Sequence, residues 1–149
     1  MAQETTMTRP DTRSSNGASD RMYHLWDEAL ERGNPQEWLA LYAEDASLES
    51  PLVPYLTGKK QGVLRGHGEL MSFLKQVAER KPPLRQRYRT GYFSDGRKLM
   101  WEYPRETPEG DQMDFVEVME LNDEGLIQHH RVYWGWRGFG VLEQDEYHP

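Results

Sequence analysis

Two segments in the second half of the chain carry the side chains best suited to acid–base chemistry. Residues 113–121 contain Glu117, and residues 126–137 contain the adjacent pair His129 and His130. Carboxyl and imidazole groups can exchange protons near neutral pH when burial and neighbouring charges adjust their pKa values. Both segments show the two-residue alternation of β-strands, in which successive side chains point to opposite faces. His129 and His130 therefore cannot close one metal site, and we expect no metal here.

Other polar residues with suggestive spacing have simpler interpretations. His67 begins a predicted helix, where it could line the mouth of a pocket or lie in solvent, and we favour solvent. His24 and Glu28 are four residues apart on a predicted helix, which is typical of a surface pair. Glu102 lies between two aromatic residues on a predicted strand, and the sequence leaves open which face of that strand points inward.

A row of arginines alternates along another predicted strand, so its guanidinium groups share one face: Arg85, Arg87 and Arg89. Such a row could bind an anion or RNA, but the net charge of −7 opposes a polyanionic partner. We interpret the row as a solvated or subunit-contacting surface of the sheet, and we expect no nucleic-acid partner.

Composition restricts the classes of protein further. The 149 residues suffice for one domain with a single core. The absence of cysteine excludes disulfides, thiolate catalysis and cysteine-based zinc sites. No run approaches the roughly 18 apolar residues of a membrane span, and no basic segment followed by an apolar one is visible near the start. We therefore expect a cytoplasmic protein without a membrane partner.

The first half of the chain predicts helices around one short strand. Residues 1–19 lack Leu, Ile, Val and aromatic side chains, which predicts a disordered tail. A helix from about Ser19–Asp20 to Gly33 and a second from Asn34 to Tyr42 form a hairpin. A short strand over 46–50, a long loop over 51–66 and a third helix over 66–80 follow.

The second half changes to the two-residue period of strands. Strands are predicted over 84–93, 97–103, 113–121 and 126–137, with turns at 94–96 and 122–125. The order predicts an α+β fold, in which helices cover one side of a curved, mostly antiparallel sheet. We predict one domain over 20–140 and a C-terminal tail over 141–149.

Two stretches resemble the ketosteroid isomerases of the wider SnoaL-like, or nuclear-transport-factor-2-like, superfamily. One is Tyr42–Pro51, which reads YAEDASLESP. The other is Met113–Leu121 (MDFVEVMEL), with Gly125–Gln128 (GLIQ) and Val132–Trp134 (VYW) after it. The resemblance extends without gaps over about 22–51 and 112–134. It implies a cone in which helices close a bent sheet around a hydrophobic pocket, and it implies a homodimer.

The resemblance also assigns positions to catalytic groups. The isomerases use a basic Asp, together with a Tyr and a protonated Asp that donate to the developing enolate oxygen. In this chain those positions are occupied by Ser50, Trp26 and Glu117. A serine hydroxyl is too weakly basic to take a carbon-bound proton, and an indole is no phenol. We therefore do not expect a standard ketosteroid isomerase, although Tyr23, one turn before Trp26, could supply a displaced phenol.

The resemblance places Glu117 near His130 and Trp134, and strand alternation then orients their neighbours. If Glu117 points inward, Phe115 and Met119 do as well, and inward Trp134 brings Val132, His130 and Gln128 with it. The expected catalytic pair is Glu117 and His130. The expected ligand-binding residues are Trp26, Ser50, Phe115, Met119, Val132, Trp134 and Tyr23.

These expectations define two classes of function. The first is cofactor-free acid–base chemistry of the isomerase, cyclase or hydratase kind on a small apolar or aromatic substrate. The second is a ligand-binding or dimeric association module that catalyses nothing, and the missing base and phenol favour it. Conversion of a bound compound separates the two, because a binding module releases its ligand unchanged.

Overall fold

The computed structural model describes residues 12–80, 88–103, 106–107, 110–111 and 114–145. Five helices occur in those ranges: α1 (Thr12–Arg32), α2 (Pro35–Leu39), α3 (Leu52–Thr57), α4 (Gly66–Arg80) and α5 (Trp136–Glu143). None of these helices has the length and apolar character needed to cross a membrane.

The described ranges also contain eight strands, six of which form one sheet. The strands are β1 (Tyr42–Glu49), β2 (Val63–Arg65), β3 (Phe93–Ser94), β4 (Lys98–Glu102), β5 (Glu106–Thr107), β6 (Gly110–Asp111), β7 (Phe115–Leu121) and β8 (Ile127–Trp134). The large sheet has the order β2-β1-β8-β7-β4-β3, and β5 pairs with β6 separately. Its neighbours are antiparallel except for the parallel pair β1 and β8. The predicted α+β class with a mostly antiparallel sheet is confirmed.

Helix α1 lies across the inner face of this sheet. Its buried residues Met22, Trp26 and Ala29 follow helical spacing, and the helix ends where Gly33 takes a φ of 67°. The helix begins at Thr12, earlier than the predicted start near Ser19–Asp20. Ser19 is fully buried and its Oγ lies 2.7 Å from Ser94 Oγ. This contact with a residue 75 positions away holds the helix at its predicted start; it does not account for the additional residues from Thr12 onward.

Helix α2 has the predicted cap but is shorter than predicted. The Asn34 side chain accepts from the Gln36 amide at 3.0 Å, with Pro35 in the first turn. The helix ends at Leu39, and Tyr42 begins β1 instead of completing the helix. The predicted short strand therefore begins four residues earlier, which brings Tyr42 onto the sheet.

The segment predicted as a long loop contains regular structure. Residues 52–57 form α3 and residues 63–65 form β2. The Ser50 hydroxyl accepts from the Leu52 amide at 3.1 Å, which helps to start α3. Pro51 and Pro54 make this stretch resemble a loop, although proline is tolerated in the first turn of a helix.

The C-terminal part departs most from the prediction. Strand β8 ends at Trp134, and α5 occupies residues predicted to continue the strand to about 137 and to form a tail from 141. The Asp114 carboxylate accepts from the Gly138 amide at 3.1 Å, and the Gly135 amide donates to the Asp114 carbonyl at 2.6 Å. These contacts hold the start of α5 from a distant position in the chain, so the local sequence does not reveal them.

The predicted limits 1–19, 20–140 and 141–149 stay a prediction, because residues 1–11 and 146–149 lie outside the described ranges. Residues 84–87 of the predicted strand over 84–93 also lie outside the described ranges. In its described part, residues 88–92 form neither helix nor strand, and β3 begins at Phe93.

The core supports a first prediction on α4. Leu74 is buried there, and its neighbour Lys75 is exposed. Replacing Leu74 by Ala removes buried methyl groups and leaves a cavity, so the free energy of unfolding should fall by about 2–5 kcal/mol. Lys75→Ala should change it by less than about 0.5 kcal/mol. Denaturant unfolding of both variants measures the difference, and equal effects would contradict the assignment of the inner face of α4.

Candidate functional site

Register brings the acidic and imidazole side chains together on the inner face of the sheet. Glu117 pairs with Trp101 on β4 and with Val132 on β8, and Met119 pairs with His130. His130 Nε2 lies 3.1 Å from Glu117 Oε1. The exposed fractions are 5% for Glu117 and 1% for His130, so both groups are removed from bulk water.

Three more buried side chains complete a hydrogen-bonded network around this pair. Trp26 Nε1 donates to Glu117 Oε2 at 3.2 Å, and Tyr103 Oη donates to the same oxygen at 2.9 Å. Tyr42 Oη lies 2.7 Å from His130 Nδ1. The members come from α1, β1, β7, β8 and the end of β4, so five separate elements must pack together to assemble the network.

The raised pKa values of two phenols, Tyr42 and Tyr103, determine where the protons of this network lie. Burial raises the pKa of Tyr42 well above its ordinary value, and the Glu117 charge raises it further. Burial first and the Glu117 charge second also raise the pKa of Tyr103. Both hydroxyls therefore keep their protons. We assign Tyr42 as the donor to His130 Nδ1, which leaves the His130 proton on Nε2, directed at Glu117.

In this arrangement Glu117 is a carboxylate that accepts from an indole, a phenol and an imidazole. Trp26 packs edge-on against the His130 ring, with centroids 5.0 Å apart. The Glu117 carboxylate is the member of this network that can accept a proton, and the three donors hold it in a fixed orientation. The arrangement can therefore give a proton to a bound molecule or take one from it.

The residues predicted to bind ligand fall into three places. Phe115 and Trp134 line a pocket of about 450 Å³ at one end of the sheet together with Tyr103; its other walls include Glu102, Val116 and Tyr133 of the outer sheet face, and Glu117 and His130 do not line it. Ser50 and Val132 line a separate pocket of about 290 Å³. Trp26, Met119 and Tyr23 are buried in the core.

The phenol nearest to Glu117 is not that of Tyr23. The Tyr23 ring packs against Tyr92, with centroids 4.8 Å apart, and edge-on against Trp101 at 5.5 Å. The expectation that Tyr23 could replace the missing phenol is wrong, because Tyr103 donates to Glu117 instead.

Strand β8 contains a break in its alternation that the sequence does not reveal. Glu120 pairs with His129, whereas the next residue, Leu121, pairs with Ile127, so the register shifts around Gln128. The Gln128 amide donates to Asp45 on the exposed side at 3.0 Å, and the prediction that it points inward is wrong. His129 is exposed, opposite to the buried His130.

The structure decides several alternatives that the sequence leaves open. Glu102 is exposed, whereas Trp101 and Tyr103 on either side of it are buried. His67 does not lie free in solvent, because its Nε2 is 3.0 Å from the Tyr42 carbonyl oxygen. His24 lies 3.7 Å from Asp20 instead of pairing with Glu28. Among the described residues, no three His, Asp or Glu side chains are placed to hold a metal ion.

Arg89 is the polar residue whose place differs most from the prediction. Its side chain is only 7% exposed, and its guanidinium carbon lies 3.7 Å from the centre of the Tyr23 ring. Arg89 Nη1 donates to the Tyr23 carbonyl at 2.8 Å, and Nη2 lies 3.5 Å from Asp27. The prediction of a solvated surface is therefore wrong for Arg89; Arg85 and Arg87 lie outside the described residues.

The sequence pattern does not identify Tyr42, Tyr103 and Arg89 as part of the site. The alternation of Trp101 and Tyr103 around Glu102 is the available signal for Tyr103, but it does not say which face points inward. Helical spacing assigns Tyr42 to the end of α2, whereas the structure places it on β1. No local signal identifies Arg89, whose partners lie on α1.

The raised phenol pKa values predict the behaviour of the protein at alkaline pH. Each of these phenols has a higher pKa in the folded protein than its value near 10 in the unfolded chain. Its contribution to the free energy of unfolding is therefore complete below pH 10 and is lost as the pH rises through the pKa of the folded protein. Tyr42 and Tyr103 should therefore belong to the tyrosines that ionise late, when the protein unfolds. Tyrosinate absorbance should show one late group fewer in Tyr42→Phe and in Tyr103→Phe, and an unchanged number would contradict the network.

The geometry and the comparisons with known proteins define the class. Helices cover one face of a curled six-stranded sheet around a buried acid and imidazole, and this α+β fold is shared with a solved nuclear-transport-factor-2-like protein. Residues 21–130 match the family model described as the SnoaL-like domain. The chain belongs to the SnoaL-like domain family.

Solved structures share this fold at low sequence identity. A SnoaL-like protein of unknown function from Burkholderia thailandensis is 17% identical, with a TM-score of 0.66, over 80% of this chain and 95% of that one. A steroid delta-isomerase from Pseudomonas aeruginosa is 16% identical, with a TM-score of 0.62, over 87% and 88%. The epoxide hydrolase/cyclase-like enzyme SalBIII, of pyran ring formation in salinomycin, is 18% identical, with a TM-score of 0.58, over 85% and 95%. A search of the curated proteins found no significant match.

Proposed function

We propose that this protein binds a small apolar or aromatic compound and performs cofactor-free acid–base chemistry on it. The reaction belongs to the isomerase, cyclase or hydratase kind. The observation that carries the proposal is the 3.1 Å contact between His130 Nε2 and Glu117 Oε1, both buried among aromatic rings. Titratable pairs in such surroundings are where proteins adjust proton affinity for catalysis.

Glu117 and His130 have complementary roles in this proposal. Glu117 exchanges the proton with the substrate, and His130 directs its Nε2–H at Oε1 and so orients and stabilises the carboxylate. Tyr42 orients the imidazole through its bond to Nδ1. Trp26 and Tyr103 donate to Oε2, the other oxygen of the Glu117 carboxylate, and so hold the carboxylate in place.

Access to the pair is proposed from the pocket lined by Phe115, Trp134 and Tyr103. Tyr103 links the two features, because it lines the pocket and its hydroxyl also donates to Glu117. The Phe115 ring lies 4.3 Å from Tyr103 and 6.3 Å from Trp134, which gives an aromatic wall suited to an apolar ligand.

The missing isomerase groups favour a reaction other than that of the ketosteroid isomerases. The Ser50 hydroxyl accepts from the Leu52 amide, and Trp26 directs its indole N–H at Glu117. The structural neighbours include proteins named as a steroid delta-isomerase and as an epoxide hydrolase/cyclase-like enzyme. Both names are compatible with acid–base chemistry.

A thermal-shift screen of small apolar and aromatic compounds, followed by chemical analysis of the compounds recovered, tests the proposal. We expect at least one compound that raises the melting temperature and that the wild-type protein converts. If every stabilising compound is recovered unchanged, the proposal of catalysis is wrong. The alternative is then a binding module that catalyses nothing. In such a module the three donors directed at Glu117 would form a purely structural network.

We also propose a cytoplasmic homodimer formed through the outer sheet face, the face opposite the helices. Exposed apolar side chains gather there: Phe93 (77% exposed), Tyr133 (57%) and Met100 (40%). Phe93 pairs with Met100 across β3 and β4, so the two form one patch.

Phe93→Glu should convert the dimer to a monomer, because it places a charge where apolar surfaces meet. Light scattering after size-exclusion chromatography measures the mass. Leu25→Glu, an equal change of charge at an exposed position on α1, is the control and should leave the dimer intact. A wild-type protein with the mass of one chain would contradict this proposal.

A further inference from the structure

The proposed catalytic pair is closed to a bound compound in this structure. Glu117 is 5% exposed and His130 is 1% exposed, whereas a small ligand touches its site with most of its own surface. Neither residue lines either of the two pockets described above, of about 450 and 290 Å³. A substrate can therefore reach the pair only after part of the fold has moved.

Two short helices, α3 and α5, lie at the end of the sheet nearest this pair. Strands β1 and β8 run parallel, so the chain leaves both at the same end of the sheet, β1 into α3 and β8 into α5. Pro54 of α3 lines one pocket with Val132, and Val132 is the direct partner of Glu117. Helix α5 begins just after Trp134, whose partner Phe115 is two residues from Glu117. The two helices therefore flank the end of the sheet at which the pair lies.

Helix α5 is held in different ways at its two ends. At its start, the Gly135 amide donates to the Asp114 carbonyl, and the Gly138 amide donates to the Asp114 carboxylate. Just beyond its end, the Asp145 carboxylate accepts from the Tyr55 hydroxyl of α3. Asp145 has a φ of 59°, a left-handed conformation that a residue other than glycine keeps only where surrounding contacts hold it. Helix α5 therefore has a fixed start and an end that depends on its contact with α3.

The sequence of α5 makes it a weak helix. Two of its eight residues are glycines, Gly138 and Gly140, and only proline is a poorer helix former than glycine. Gly138 has a reason in packing, because a Cβ there would lie 3.0 Å from the Trp134 ring. Gly140 has none, because among the described residues a Cβ there would meet nothing within 4 Å outside its own helix.

Helix α5 also buries less apolar surface than α3 does. Trp136 is 71% exposed and Phe139 is 50% exposed, and Leu142 is only partly buried against the core. In α3, by contrast, Leu52 and Val53 are both buried in the core. Segments with few buried apolar contacts open locally at a lower free energy than the core. Of the two helices, α5 is therefore the one that can move.

We propose that α5 is a lid, which turns about Gly135 when the contact between Tyr55 and Asp145 breaks. Its opening admits a small apolar compound to the catalytic pair, so this inference rests on the proposed function and concerns access to the same site. Gly135 also lines the pocket formed by Phe115 and Trp134. A movement about Gly135 would therefore extend that pocket toward the pair.

Hydrogen exchange measured by NMR tests the lid without any ligand. The backbone amides of α5 report on the helix itself, and the Trp26 indole proton, which is bonded to Glu117, reports on the arrival of water at the pair. Relative to the rates of unstructured groups, we expect the α5 amides and the Trp26 indole to exchange at least tenfold faster than the amides of β7 and β8. The reason is that a local opening needs less free energy than global unfolding.

Two substitutions should change this opening in opposite directions. Tyr55→Phe keeps the ring and removes the hydroxyl, so the α5 amides and the Trp26 indole should both exchange about three- to tenfold faster. Gly140→Ala favours the helix without a clash, so both should exchange about two- to fivefold more slowly. Gly68→Ala on α4, where a Cβ also meets nothing within 4 Å outside its own helix among the described residues, is the control and should change neither rate.

Three results would overturn the inference. They are α5 amides that exchange only together with those of β7 and β8, rates that neither Tyr55→Phe nor Gly140→Ala changes, and α5 amides that respond while the Trp26 indole does not. The last result would mean that α5 moves without covering the pair. These readouts involve no turnover, so they are independent of whether the protein is an enzyme. Conversely, a screen in which every compound is recovered unchanged would contradict catalysis without affecting the exchange result.

Discussion

Glu117→Gln is expected to reduce turnover about 10²–10⁴-fold while leaving the protein folded. The amide cannot accept and return a proton, and general acid–base catalysis usually contributes an effect of this size. The amide oxygen can still accept from Trp26 and Tyr103, and its NH₂ group can donate to His130 Nε2 if the imidazole proton moves to Nδ1. Only the Tyr42 proton then loses its acceptor, so the free energy of unfolding should fall by about 0.5–1.5 kcal/mol.

Glu120→Gln provides a control on the same strand. Glu120 lies on the outer sheet face, 3.4 Å from Arg131 and 3.5 Å from Lys98. Its loss should leave turnover unchanged and cost little stability, because exposed ion pairs contribute about 0–1 kcal/mol. Steady-state rates with a compound found in the screen measure both variants. If Glu117→Gln kept full activity, Glu117 would not be the group that exchanges the proton.

His130→Ala is expected to cause the largest loss of stability, about 3–5 kcal/mol, together with loss of turnover. The change leaves the Glu117 carboxylate short of a donor and Tyr42 without its acceptor, in a region nearly closed to water. It also leaves a cavity beside Trp26, whose ring contacts the imidazole.

The adjacent histidine gives the matched comparison for that variant. His129 is exposed and its Nδ1 lies 2.7 Å from Ser47 Oγ, so His129→Ala should cost less than about 1 kcal/mol. Denaturant unfolding of both variants tests the opposite orientation of the two rings. A loss of similar size in both would mean that His130 has no special place in the buried network.

The amino-acid sequence is sufficient to predict the class of fold and the meeting of Glu117 with His130. Strand alternation is a local property, and the resemblance to the ketosteroid isomerases places Glu117 near His130; the register shift at Gln128, between this pair and the turn, is not predicted. The pair could therefore be predicted from alternation together with that resemblance, and not from the turn alone.

The other members of the network cannot be predicted in this way. Tyr42 reaches His130 across the parallel pair β1 and β8, and Trp26 reaches Glu117 from a helix 91 residues away. Arg89 and Asp114 find their partners on α1 and α5. Each of these contacts depends on how separate elements pack, which neither hydrophobic period nor turn chemistry determines.

A crystal structure of Glu117→Gln bound to a compound that the wild-type protein converts would test the role of Glu117 most directly. We predict a reacting atom within about 2.6–3.2 Å of the carboxamide that replaces the carboxyl group, with the body of the compound against Phe115 and Trp134. A compound bound elsewhere, with no atom near that carboxamide and the buried network unchanged beneath it, would contradict the proposed role of Glu117.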